Sequence, residues 1–235
     1  MKVGVVVFPG SNCDHDAYRA FKLVSGVEPI YLWHGSHDLE NSDIVVLPGG
    51  FSYGDYLRAG AIARFSPIMK KVFDFAHNGG VVLGICNGFQ ILTESGLLPG
   101  ALLRNNGLRF VCKEVILRVE TDRPLITADI KPGTLLRMPV AHGEGGYFAN
   151  HSDITRLETS GRILFRYVDS AGAVTSGANP NGSINGIAGI VNEDGNVFGM
   201  MPHPERASEA ILGSSDGLAL IKSLCLQVAG GAVAR

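Results

Sequence analysis

A chain of 235 residues with 46% apolar and 18% charged side chains has the material for one large buried core. Its formal net charge of -2 supplies neither the basic footprint of a nucleic-acid binder nor a polybasic patch for a membrane surface, so small molecules and proteins remain as partners. Cys13, Cys86, Cys112 and Cys225 form no Cys-x-x-Cys pair and no framework spacing, which argues against a disulfide scaffold or a zinc cage.

The chain opens on Lys2 to Phe8, a near-continuous apolar run expected of a strand buried on both faces. The run is too short for a signal-peptide core or a membrane span, and the protein is read as cytoplasmic. Ser11 and Asn12 can cap a helix from about Asp14 to Ser25, which Gly26 ends. Pro29 to Trp33 and Asp43 to Leu47 read as strands, the second closing on Pro48-Gly49-Gly50. Helical patterns cover Leu57 to Arg64 and Pro67 to His77, and Asn78-Gly79-Gly80 is a stop signal. The strand Val81 to Ile85 then leads into Cys86 and a further helix. After Pro99 the texture changes: Phe110 to Val119, Leu135 to Val140 and Ile163 to Val168 read as strands, the first with one wet face. Ile187 to Val191 and Val197 to Met201 read as a hairpin, and Leu218 to Val228 as a closing helix. Gly230 to Arg235 is a linker-like tail. Strands alternating with helices predict an α/β fold, an open mostly parallel sheet flanked by helices, with an antiparallel extension and a single domain over 1–235.

Gly84 and Gly88 flank Cys86 at minus two and plus two, giving G-x-C-x-G with no turn segment between strand and helix. A sharp strand-to-helix turn crowds those two positions, and glycine removes both Cβ atoms. The thiol would then stand at the carboxyl edge of a sheet and the amino end of a helix, where the helix dipole favours thiolate. On the elbow alone, a buried inert cysteine is an equal reading.

A thiolate nucleophile needs a base, and Pro202-His203-Pro204-Glu205 follows a strand end. Prolines on both sides keep His203 out of a helix, and Glu205 is placed to hold one imidazole nitrogen while the other faces a thiol. Taken alone this is a surface turn. Alongside the elbow and the Pro48-Gly49-Gly50 turn it becomes a catalytic candidate. The N–H groups of Gly50 and Asn87 are the candidate oxyanion donors, each contributing a factor of about 10² to 10³ in rate.

Leu47-Pro-Gly-Gly50, Gly84-Ile-Cys86-Asn-Gly-Phe-Gln90 and Pro202-His203-Pro-Glu205, in that order, resemble the three signatures of class I glutamine amidotransferases. Phe8-Pro-Gly-Ser-Asn-Cys-Asp14, Gly49 to Ala63 and Ala141-His-Gly-Glu-Gly145 are similar, more narrowly, to the glutaminase subunits of phosphoribosylformylglycinamidine synthases of de novo purine synthesis. The resemblance implies that Cys86 attacks the side-chain amide of glutamine, that His203 protonates the departing ammonia, and that water resolves the thioester to glutamate. Gly50 and Asn87 would hold the oxyanion, Glu205 would orient His203, and Gln90 would help to bind glutamine. It implies no cofactor or metal in this chain: ATP and magnesium would serve a large synthase subunit acting on formylglycinamide ribonucleotide, with a small bridging subunit. The sequence agrees in having no G-x-x-x-x-G-K-[ST] phosphate loop.

Within the same resemblance, Cys13 is read as a helix-start residue, and His142 and Glu144 as local hydrogen-bonding, pocket or docking residues. Asp55 and Arg58 are read as capping a helix or docking the synthase, and Cys112 and Cys225 as core. A cysteine hydrolase of the related elbow-bearing type would place histidine after the cysteine, where Asn87 stands. A non-catalytic binding subunit would not need nucleophile, base, orienter and both turns together.

Overall fold

The structure, a computed structural model, describes residues 1–231, so the end of the predicted tail, 232–235, lies outside it. In chain order the elements are β1 (Lys2–Val7), α1 (Asp14–Lys22), β2 (Glu28–Trp33), β3 (Ile44–Leu47), α2 (Pro67–His77), β4 (Val81–Ile85), α3 (Asn87–Glu94), β5 (Ala101–Leu103), β6 (Val111–Val119), β7 (Leu135–His142), β8 (Gly146–Phe148), α4 (His151–Thr159), β9 (Ile163–Val168), β10 (Ile187–Val191), β11 (Val197–Met200) and α5 (Asp216–Ala229). Nine strands make one sheet in the order β2-β1-β3-β4-β11-β10-β9-β6-β7, and β5 pairs with β8 apart from it. From β2 to β11 every pairing is parallel; from β11 to β7 every pairing is antiparallel. This is the predicted parallel sheet with its antiparallel extension.

The parallel strands β3, β4 and β11 are buried at every residue, as their apolar runs require of strands covered on both faces. Their register positions the site. Leu47 lies opposite Gly84, Gly84 opposite Gly199, and Ile85 opposite Met200, so the three strands end level. The turns that follow, Pro48 to Gly50, Cys86, and Met201 to His203, therefore leave the sheet side by side. That is the carboxyl edge, where open α/β sheets bind their ligands.

Three expectations are corrected. Residues 57–64 form turns and then a 3-10 turn at Ala63–Phe65, and no helix starts before Pro67. Gly60 adopts φ +82 and packs so closely on α3 that a Cβ there would lie 2.7 Å from the Ile91 nitrogen, which a helical path does not allow. Cys112 is exposed, because β9 pairs only with residues 116–119 of β6 and leaves its first half against β7 alone. The α1 helix stops at Lys22, short of Ser25. Cys225 is buried, as expected. Strands β5 and β8 and helix α4 are elements not expected from the sequence.

Candidate active site

Cys86 sits between β4 and α3 with φ 50 and ψ −103, a left-handed conformation that a residue with a side chain adopts only under constraint. The constraint comes from the flanking glycines. A Cβ on Gly84 would lie 2.7 Å from the Gly88 carbonyl, and one on Gly88 would run into the Leu47 carbonyl oxygen. The Cys86 N–H donates to Met200 O at 2.8 Å, and Gln90 N–H donates to Cys86 O at 3.1 Å, so the residue joins β11 to the first turn of α3.

His203 follows β11 and opens the 3-10 turn Pro204–Ala207. Its Nδ1 lies 2.6 Å from Glu205 Oε1, which assigns the ring proton to Nδ1. Its Nε2 is buried and has no hydrogen-bond partner among the described residues. Burial alone would push the imidazole down, but the Glu205 carboxylate, followed by the neighbouring Cys86 and Cys13 sulfurs, outweighs it and holds His203 well above the usual range. The Cys86 thiol donates toward Ala141 O, with Sγ to O at 3.6 Å. It is thus beside His203 but aimed at a carbonyl, and a rotation of the thiol is required to engage Nε2.

Gly50 takes φ +136, reserved for glycine, and a Cβ on it would lie 2.5 Å from the Asn12 nitrogen. The turn is held by the first loop: Asn12 and Cys13 N–H donate to Gly49 O at 3.4 and 3.2 Å, and Phe51 N–H donates to Gly10 O at 3.0 Å. Among the described residues, the N–H groups of Gly50 and Asn87 make no backbone bond outside the regular elements, and no side chain accepts from either. The Asn87 side chain has another task. Its Oδ1 accepts from Ser52 N–H at 3.1 Å, and its Nδ2 donates to Gln90 Oε1 at 2.8 Å and Asp55 Oδ1 at 3.4 Å.

Gln90 lies one helical turn beyond Cys86, and its amide is engaged at both ends, with Nε2 donating to Glu144 O at 2.6 Å. The Glu144 carboxylate accepts from Ala59 N–H at 3.2 Å. Residues 51–59 are thereby tied to Asn87, the neighbour of Cys86, and to Glu144, whose carbonyl holds Gln90. Cys86 is 4% exposed, His203 1% and Glu205 2%, so the sulfur that was expected to stand outward is covered. Two sizeable cavities among the described residues do not reach it. One of about 700 Å³ opens at the amino ends of β4 and β11, near Gly79, Arg162 and Asn196, and one of about 540 Å³ lies against Pro9, Phe51 and Tyr56.

One part of the site, around Asn105, was not expected from the sequence, and a second residue expected only as a helix start also turns into it. Asn105 donates from Nδ2 to His142 O and Arg109 O, so its Oδ1 must accept from Gly145 N–H and His142 Nδ1. It thereby shapes the segment whose carbonyls hold Cys86 and Gln90. Burial pushes His142 down to about 4, so it stays neutral. The second residue is Cys13, whose Sγ lies within 4.8 Å of donor atoms of His203 and Glu205. The trio resembles a metal-ligand set. However, Arg206 Nη2 donates to the sulfur at 3.1 Å and Glu205 Oε1 is taken by Nδ1, so a cation placed at the sulfur would meet the guanidinium.

The family model for a CobB/CobQ-like glutamine amidotransferase domain matches residues 1–216. A protein of Chlorobaculum tepidum named phosphoribosylformylglycinamidine synthase subunit PurQ is 59% identical over 228 residues, 97% of each chain. The subunit of that name from Chlorobaculum parvum is 57% identical over 230 residues, 98% of this chain and 91% of its own. A chain of the solved structure of PurLQS from Thermotoga maritima superposes with a TM-score of 0.85 at 42% identity, over 97% of this chain and 98% of that one.

Proposed function

Because the chain belongs to the CobB/CobQ-like glutamine amidotransferases and, within them, to the PurQ subunits of phosphoribosylformylglycinamidine synthase, we propose that Cys86, His203 and Glu205 are its glutaminase triad. The chain is an enzyme subunit that hydrolyses glutamine and feeds the nitrogen to formylglycinamidine ribonucleotide synthesis. The observation that supports the triad is the level ending of β3, β4 and β11, from which the Gly50 turn, the strained Cys86 and the carboxylate-held His203 leave side by side.

In the proposed course, Cys86 Sγ turns from Ala141 O toward His203 Nε2, gives up its proton and attacks the glutamine side-chain carbonyl. The N–H groups of Gly50 and Asn87 receive the oxyanion. Nε2 then returns the proton to the departing amine, releasing ammonia and leaving a glutamyl thioester. Water activated by the same imidazole resolves the thioester to glutamate. Glu205 holds the Nδ1–H tautomer and stabilises the imidazolium that forms twice in the cycle. Gln90 exchanges its bond to Glu144 O for one to the substrate.

The partners are a large synthase subunit, which uses ATP and magnesium, and a small bridging subunit. This chain works as a single glutaminase domain in the cytoplasm. Among the described residues no helix is long and apolar enough to cross a membrane. The covered nucleophile supports gating by the partner. Residues 51–59 must yield before glutamine enters, which limits ammonia release by the lone subunit. The test is glutamate release by the purified chain alone, then with the synthase, ATP and formylglycinamide ribonucleotide. Strong stimulation by the full mixture is expected; folded protein that releases no glutamate under either condition would overturn the reading.

A further inference from the structure

Cys13 occupies the position that starts α1, where Ser, Thr, Asp or Asn would bond the first free N–H groups of the helix. Its side chain makes no such bond. The sulfur instead turns inward and is 2% exposed. There it meets three parts of the site at once. The Cys13 N–H donates to Gly49 O at 3.2 Å, inside the oxyanion turn. A Cβ built on Gly49 would lie 2.7 Å from His203 Cε1 and 3.0 Å from Cys13 Sγ, so sulfur and imidazole flank the same glycine. Arg206, next to Glu205, donates from Nη2 to the sulfur at 3.1 Å and from Nε to Asp16 Oδ2 of α1 at 3.2 Å.

We propose that Cys13 is a positioning residue for the amide-cleaving base, its N–H fixing the Gly49–Gly50 turn while its sulfur fixes the His203 ring and, through Arg206, the segment carrying Glu205. The proposal rests on the assignment of His203 and Glu205 as base and orienter. A helix start that forgoes its cap is the local departure from propensity found where a residue serves a site. A thiol also suits the place chemically. Burial pushes it up, so it stays neutral and accepts from Arg206 without setting a second negative charge against the Glu205 carboxylate. Neither Ala nor an aspartate cap does this: Ala leaves Arg206 unpartnered on that side, and Asp adds charge.

The experiment uses the assembled complex carrying wild type, Cys13→Ala, Cys13→Ser or Glu205→Gln, with glutamine-dependent and ammonium-dependent synthesis measured from pH 5.5 to 9. Ammonium-dependent synthesis reports folding and assembly, since it bypasses this site. Cys13→Ala should lower the glutamine-dependent kcat about 10- to 100-fold, the scale of a misplaced catalytic group, with KM changed less than about twofold. The limb of its pH profile that reports His203 should move to lower pH, because a contact that raises the imidazole is lost. Cys13→Ser should recover part of the loss. A helix-start role predicts the opposite order, with serine equal to or better than cysteine. Cys13→Ala and Cys13→Ser with wild-type kcat and pH profile would overturn the proposal. If Cys13→Ala also loses ammonium-dependent synthesis, the serine variant decides on the same criteria. An unaltered Glu205→Gln complex would instead overturn the base assignment itself, which keeps the two failures apart.

Discussion

The floor of the site and its cover are built in opposite ways. Gly50, Cys86 and His203 follow strands that are buried throughout and locked in a parallel ladder drawn from three distant parts of the chain. The cover, residues 51–59, has no ladder. Tyr53, Gly54 and Asp55 are all left-handed, and Tyr56, Leu57 and Arg58 are exposed. What holds it, besides the Phe51 and Tyr53 N–H groups donating to Gly10 O and Pro9 O, is a set of separate side-chain contacts: Ser52 and Asp55 to Asn87, Ala59 to Glu144, Tyr53 to His34 and Ser66, and Arg58 to Glu94. A ladder opens only with the domain, whereas separate contacts in a loop outside the sheet open locally at less cost. Substitutions in the floor should therefore abolish hydrolysis whatever the partner does, and substitutions in the cover should change how hydrolysis depends on pH and partner.

The largest effect tests the floor at Cys86, the proposed nucleophile. Cys86→Ala should lower glutamine-dependent synthesis at least about 10³-fold, while the complex keeps its rate with ammonium salts. Loss of both activities in an assembled complex would remove Cys86 from the role given to it. Glu205→Gln should follow, with kcat down about 10²- to 10⁴-fold, since the tautomer and the imidazolium both lose their support. The same variant carries a stability signature. The carboxylate raises His203 in the native state, so the pair's stabilisation is full below the unfolded value of about 6.5 and is lost as the pH rises through the higher native value. Wild-type melting temperature should decline across that alkaline window, and the decline should flatten in Glu205→Gln. Gly50→Ala comes next, at about 10²- to 10³-fold in kcat, because φ +136 and the approach of Asn12 force the turn, and its N–H, to move. A Gly50→Ala enzyme within twofold of wild type would take the oxyanion role from this turn.

The same division explains what the sequence allowed to be read. The floor is written in local signals: apolar runs for β3, β4 and β11, glycines two residues either side of Cys86, and prolines around His203. Helix α2 was bounded correctly by Pro67 and the Asn78-Gly79-Gly80 stop. The cover was misread as helical over 57–64 because apolar periodicity is blind to Gly60 lying on the backbone of α3. Strands β5 and β8 are three residues each and pair across more than forty positions, as in Ala101 with Phe148, so neither carries a signal alone. Helix α4 was legible in principle, since Asn150 caps it by accepting from Asp153 N–H at 2.8 Å, a local pattern that went unread. The covering of Cys86 was not legible at all. It comes from segments far apart in the chain, as do the bonds of Ser52 to Asn87 and of Ala59 to Glu144.

The smallest expected effect tests the cover. Asp55 is pushed up from an ordinary 3.8 to about 6, first by burial and then by the charge of Glu144, against a smaller opposing effect of its bond from Asn87. A carboxyl raised in the closed arrangement favours closure while protonated. That contribution is full below about pH 4 and is lost as the pH rises through about 6. At neutral pH the ionised Asp55 therefore works against the bonds that close the site, and the cover is held less firmly than its contacts suggest. Asp55→Asn removes the charge and keeps the shape. Amide hydrogen exchange across residues 51–59, corrected for intrinsic rates, should show wild-type protection falling a few-fold between pH 5 and 7.5, with the variant protected equally at both. Residues 81–86 should be unaffected in either protein. Equal wild-type protection at the two pH values would show that Asp55 does not bias the cover. The partner-dependent opening would then rest on Glu144 and Asn87 alone.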